Sequence, residues 1–211
     1  MKSLKSVIVF IVISVLGILT LVMSIRDKIE LAKPPADIAR MTEDDFYNGR
    51  YVEGYVYEIW GEYATMEESD TVFGISYNKR TSAHYMYMPL ETAFETGVPK
   101  FIALSIRDGS DYSFAYKLMQ ETWDFYYNDI DFETAMPIRG KITKLTGENK
   151  KYFEDAMREE GFTPSEVSVY YVINVGNDGN GTTAELLIGI GITVVGVLGA
   201  LFTIVRGRAR G

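Results

Sequence analysis

Two stretches of the chain contain no charged residue, 6–25 (SVIVFIVISVLGILTLVMSI) and 186–205 (LLIGIGITVVGVLGALFTIV), and each is 20 residues long. A helix needs about 20 apolar residues to cross a bilayer core, where no water is present to satisfy a bare backbone group. The sequence therefore predicts a transmembrane helix at each end and confines any water-soluble fold to the block between them. That block is long enough for one domain with its own core and too short for two. The overall figure of 47% hydrophobic residues conceals this division.

The first stretch follows Met1, Lys2 and Lys5, as the core of a signal peptide would. Its apolar run is longer than the roughly 7–15 residues of such a core, and Arg26, Asp27 and Lys28 stand where a small-residue cleavage site would be. It reads as an uncleaved anchor. Cationic side chains beside a span are retained in the cytoplasm. Arg206, Arg208 and Arg210 follow the second stretch, whereas residues 166–185 carry no Lys or Arg. Two spans place both termini on one side. The expected layout, in the plasma membrane, is a cytoplasmic N-tail (1–5), a span (6–25), an extracytoplasmic block, a second span (186–205) and a cytoplasmic basic C-tail (206–211). Of the 21 Lys and Arg, five lie in the tails, so the block carries the other 16 against all 29 Asp and Glu, a net of −13. A surface of that sign is unsuited to nucleic acid, whose phosphates call for a basic stripe.

Within the block, residues 26–41 read as a stalk stiffened by Pro34 and Pro35, 42–175 as the folded domain, and 176–185, with Asn177, Asp178, Gly179 and Asn180, as a flexible tether. Thr42 followed by Glu43, Asp44 and Asp45 looks like the capped start of a short helix. Aromatic and β-branched runs predict strands at 50–60, 71–77, 83–88, 101–106, 137–145 and 167–175. Helical periodicity predicts helices over 110–127 and about 149–160. This is an α+β order with a mostly antiparallel sheet and two main helices. Gly54, Val56 and Ile59 share the spacing G-x-[VI]-x-x-[IL] with Gly140, Ile142 and Leu145, and a strand glycine often marks the bend at which a small barrel closes.

The order of these elements resembles an oligonucleotide/oligosaccharide-binding barrel, and the layout as a whole resembles uncharacterised two-span membrane proteins of Gram-positive bacteria. The resemblance implies an OB-like barrel between two membrane anchors and transfers no site residue.

Zero Cys excludes disulfides and thiolate chemistry, and a single His excludes any site that needs two imidazoles. Phosphate-cradling loops, G-x-S-x-G elbows and H-E-x-x-H helices are absent from the sequence. No catalytic residue, metal site or cofactor is therefore expected. His84 falls on a strand face with Met86 and Met88, as a packed histidine would, with a general base or pH sensor as the other reading. Asp124, Asn128, Asp129, Asp131 and Glu133 read as a solvated acidic loop rather than a calcium site, because the regular twelve-residue ligand spacing is missing. Fifteen tyrosines are the unusual feature. Tyr51, Tyr55, Tyr57, Trp60, Tyr85, Tyr87, Trp123, Tyr126 and Tyr127 are the candidate binding residues, since these rings combine apolar area with a polar handle. Gly17, Gly189, Gly196 and Ala200 are candidates for close helix packing in the membrane. The expected partners are the bilayer and a membrane or envelope protein or a second copy of the chain. The expected function is a non-enzymatic extracytoplasmic interaction or scaffold module. A domain binding envelope glycan or lipid headgroups is the alternative, and a carboxylate-dependent hydrolase a further one.

Overall fold

The computed structural model describes residues 2–72, 75–90, 99–131, 134–177 and 182–208. The chain divides into two units, residues 1–33 with 179–211, and residues 34–178.

The first unit is a pair of helices, α1 (Lys2–Leu31) and α5 (Thr182–Arg208). Both are long and apolar enough to cross a membrane. They run antiparallel: Phe10 meets Gly199, Ser14 meets Gly196, Gly17 meets Thr193 and Leu21 meets Gly189. The hydroxyls of Ser14, Thr20, Thr193 and Thr203 donate to carbonyls one turn back in their own helices, so none depends on water for a partner.

The second unit is an open seven-stranded sheet in the order β1-β2-β6-β7-β5-β4-β3. Its strands are β1 (Ala36–Asp37), β2 (Tyr51–Val56), β3 (Gly61–Val72), β4 (Ile75–Pro89), β5 (Phe101–Arg107), β6 (Met136–Lys144) and β7 (Ser168–Val175). Pairs β1–β2 and β5–β7 are parallel and the other four antiparallel. Helices α2 (Ser110–Asn128), α3 (Gly147–Glu159) and the single turn α4 (Pro164–Val167) connect them.

The class is α+β, but the expected OB-like barrel is corrected to an open mixed sheet. Strand β5 explains why. It is apolar on both faces: Ile102, Leu104 and Ile106 pack with Ala115 and Leu118 of α2, while Phe101 and Ala103 pack with Phe153 and Met157 of α3. A strand buried on both faces needs a cover on each side, whereas a small barrel covers one from within. The two glycines whose spacing suggested a barrel instead allow close approach. A Cβ on Gly54 would lie 2.6 Å from Ile38 Cγ2, and one on Gly140 would lie 2.9 Å from the carbonyl carbon of Asn174.

Other boundaries moved for local reasons. The acidic run 61–72 (GEYATMEESDTV) is a strand despite its lack of apolar alternation, and the expected strand at 71–77 straddles the hairpin between β3 and β4, with Phe73 and Gly74 outside the described residues. Residues 36–41 pair or pack with the sheet, Ile38 and Met41 being buried. The short helix after Thr42 is a single 3-10 turn, Glu43–Asp45, closed by a capping box. The backbone N–H and then the hydroxyl of Thr42, followed by Arg50, hold the Asp45 carboxyl below its ordinary value of 3.8. In β7 Val169, Tyr171, Ile173 and Val175 alternate onto the α2 face and Val172 onto the α3 face, while the pairing with β5 shifts register between Ile102 and Ala103.

Candidate functional site

The connection from β2 to β3, Tyr57–Trp60, crosses one end of the sheet and is pinned there. The backbone N–H of buried Ile59 donates to Thr122 Oγ1 at 3.1 Å, and that hydroxyl donates to the Leu118 carbonyl within α2 at 2.8 Å. The next residue, Trp60, donates its backbone N–H to the Tyr87 carbonyl at 3.0 Å. These bonds leave the Trp60 indole half-buried between elements from both faces. Its centroid lies 5.1 Å from Phe101, 5.4 Å from Tyr126 and 6.1 Å from Trp123 of α2, and 6.5 Å from Phe162 beyond α3.

Glu58 ties this cluster together. Its Oε2 accepts from Trp60 Nε1 at 2.9 Å and from the Tyr126 hydroxyl at 3.1 Å. Burial, and after it the Glu58 charge, pushes the Tyr126 phenol up to about 12, so it remains a donor across the physiological range. Glu58 also lines an apolar groove with Ile38, Tyr55, Tyr57, Met88 and Leu90. Tyr55 and Tyr57 flank each other there at 6.4 Å, on alternate residues of one strand edge. Tyr127 stacks on Trp123 at 5.5 Å and is 78% exposed. The arrangement offers flat apolar rings, a carboxylate acceptor and no cation among the groove's lining residues.

Of the nine aromatic candidates, the structure therefore brings together Tyr55, Tyr57, Trp60, Trp123, Tyr126 and Tyr127. It places Tyr51 and Tyr87 in the core and Tyr85 half-buried beside Tyr63. Lys141 lies over the Tyr51 ring, and the Tyr87 hydroxyl donates to Glu160 Oε1 at 2.7 Å. Strand alternation puts Tyr51, Tyr85 and Tyr87 on the α3 face, which is covered as well. Sequence reasoning missed Glu58, Phe101 and Phe162, although an acid two residues before a tryptophan on a strand end was a readable signal for the first.

Among the acidic candidates, Asp124 accepts from Asn128 at 3.0 Å and Asp129 ends α2 in the left-handed region (φ 56°). Glu133, like Asp178, Gly179 and Asn180 of the tether, lies outside the described residues. Among the described residues no three His, Asp or Glu side chains converge as a metal site. In the helix pair, Gly17, Gly189 and Gly196 are buried at the seam and Ala200 is half-buried. A Cβ at Gly17 or Gly196 would come within 2.6 Å of the facing backbone nitrogen, that of Thr193 or Ser14, and at Gly189 within 3.1 Å of Leu21 N.

A family model described as Domain of unknown function (DUF8577) matches residues 1–206, which takes in both terminal helices and the domain between them. Comparison with curated proteins and with solved structures returned no match.

Proposed function

We propose that this chain, which belongs to the DUF8577 family, is a two-span plasma-membrane protein whose central domain docks an envelope component outside the cell without acting on it chemically. The observation that carries this reading is that Glu58 holds Trp60 and Tyr126 by hydrogen bonds and lines one groove with Tyr55 and Tyr57, while Trp123 and Tyr127 pack on beyond Trp60. Both termini lie in the cytoplasm, on the strength of Arg206, Arg208 and Arg210.

The groove favours an uncharged saccharide segment as the docked group. Tyr55 and Tyr57 are half-exposed ring faces on which the C–H face of a sugar can lie, and among the described residues Glu58 Oε1 makes no hydrogen bond that would compete with a sugar hydroxyl. An anionic group would meet that carboxylate and a domain of net −13, with no lining cation to offset either.

The test is titration of the full-length protein in nanodiscs with soluble envelope-glycan fragments. Trp60 and Trp123 are the only tryptophans, so indole emission reports the site directly. Tyr57→Ala and Tyr127→Ala, both at exposed positions, are expected to weaken binding by about tenfold, or 1.4 kcal/mol, while leaving the unfolding midpoint unchanged. Unaltered emission at saturating fragment, or equal affinity in the variants, contradicts the reading.

A further inference from the structure

Away from the docking surface, four side chains from four elements meet on the α2 face of the sheet. Glu62 comes from β3, His84 from β4, Asp108 from the turn after β5 and Tyr112 from the first turn of α2. His84 is 8% exposed, and its ring lies flat on Tyr112 with centroids 3.4 Å apart and planes 10° from parallel. Its Nδ1 is 2.8 Å from Glu62 Oε1, and the other Glu62 oxygen accepts from the Tyr112 hydroxyl at 2.9 Å. The buried Nε2 has no hydrogen-bond partner, and Asp108 Oδ1 stands 3.5 Å from it.

Ionised carboxylates only accept, so Nδ1 must carry the hydrogen shared with Glu62. In the neutral ring that leaves Nε2 as a bare lone pair, buried and turned toward a second carboxylate. A proton there converts the mismatch into a donor facing each acid and places a cation on the Tyr112 face. The titratable groups around the imidazole are Glu62, Asp108, Tyr112 and Tyr116. Glu62 and Asp108 have no other ionic partner among the described residues. Burial, then Glu62, pushes the Tyr112 phenol up to about 12, so it stays a donor throughout.

The position of His84 in the sheet gives this contact leverage. The ladder of β4 with β5 runs from Ala83 to Pro89, with one further backbone bond from the Asp108 N–H to the Ser82 carbonyl at 3.2 Å, so residues 75–81 and their β3 partners continue as a two-stranded arm. An isolated two-stranded hairpin is marginal in water, so the arm depends on its root, where His84 sits.

We propose that Glu62, His84, Asp108 and Tyr112 form a proton-operated latch, in which a proton bound at His84 Nε2 ties the turn before α2 to the root of the β3–β4 arm and its loss releases the two. Elsewhere in the domain, the lowered Asp45 carboxyl contributes stability above its ordinary 3.8 that is lost as pH falls through the folded value.

The test uses the full chain in nanodiscs. Amide exchange is measured at about pH 8 and about pH 5.5 and corrected for intrinsic rates, in wild type, His84→Gln and Asp108→Asn. Protection of 66–69, 79–82 and 108–112 is expected to rise about fivefold at the lower pH in wild type, less in Asp108→Asn, and not at all in His84→Gln. Because His84 is the single imidazole, its ring-nitrogen signals show directly whether both nitrogens bear protons in the protected state. Equal pH responses in wild type and Asp108→Asn overturn the proposal, as does a ring that stays neutral while protection rises. Asp108 is mostly exposed, so its variant decides the matter even if His84→Gln fails to fold.

Discussion

Replacing Gly140 by alanine is expected to destabilise the sheet domain by about 3 kcal/mol, the upper end for forcing an added methyl into a packed site. Gly140 is paired on both sides, with Val52 of β2 and with Val175 of β7. The new Cβ would press on the Asn174 carbonyl and come within 3.1 Å of Ile173 Cγ2. Relief requires β6 to move away from β7, which breaks the ladder next to β5 and the core that Ile142 and Ile173 share. A loss of that size lowers the unfolding midpoint by roughly 10 °C for a domain of this length. Gly161→Ala is the contrast. It meets open space, and only its φ of +84° opposes a side chain, so the cost is about 1 kcal/mol. Near-ultraviolet circular dichroism of the full chain in micelles reads both. A Gly140→Ala midpoint within a degree or two of wild type would show that β6 and β7 are not in this register.

In the helix pair, Gly196→Leu is expected to weaken pairing of α1 with α5 about tenfold, whereas Gly191→Leu, five residues away on the outer surface, is expected to leave it intact. Small residues permit the backbone approach on which helix association in lipid depends. At Gly196 a Cβ would fall 2.6 Å from Ser14 N, while at Gly191 nothing lies within 4 Å. The absence of native Cys makes the test clean. Leu21→Cys combined with Gly189→Cys, whose backbones touch across the seam, should form an intramolecular disulfide in membranes. Yield should fall about tenfold in the Gly196→Leu background, the effect of losing roughly 1.4 kcal/mol of association, and remain unchanged with Gly191→Leu. Crosslinked dimers in place of crosslinked monomers would mean that the small-residue seam joins two chains.

The parts of the fold that were legible in sequence are those governed by local pattern. The charge-free windows, the apolar run of β5 and the 3.6-residue period carrying Ala115, Leu118 and Thr122 inward each report their own environment. What pairs with what does not follow from such patterns. The sheet is open because helices cover both of its faces, and alternation along a strand cannot tell a covered face from a wet one. Tyr51 and Tyr87 were unreadable as core for that reason. Strand β3 escaped notice because Glu67 and Glu68 lie exposed on the arm and need no apolar period. The aromatic cluster was half legible: its rings were visible as residue types, but Trp60 and Trp123 belong to distant segments that the bond from Ile59 to Thr122 helps hold together. The latch was not legible at all, since Glu62, His84, Asp108 and Tyr112 belong to four elements and have no characteristic spacing.

The claim on which the functional account rests is that the aromatic domain lies outside the membrane, between two spans. One measurement addresses it most directly: in an otherwise Cys-free chain, a single cysteine at Tyr127, the most exposed of the site's rings, or one appended after Gly211, is treated in intact cells with a membrane-impermeant maleimide. The account predicts full labelling at position 127 and protection of the C-terminal cysteine until the cells are permeabilised. Protection at position 127 with labelling at the C-terminus would invert the topology and remove the envelope from the proposed function.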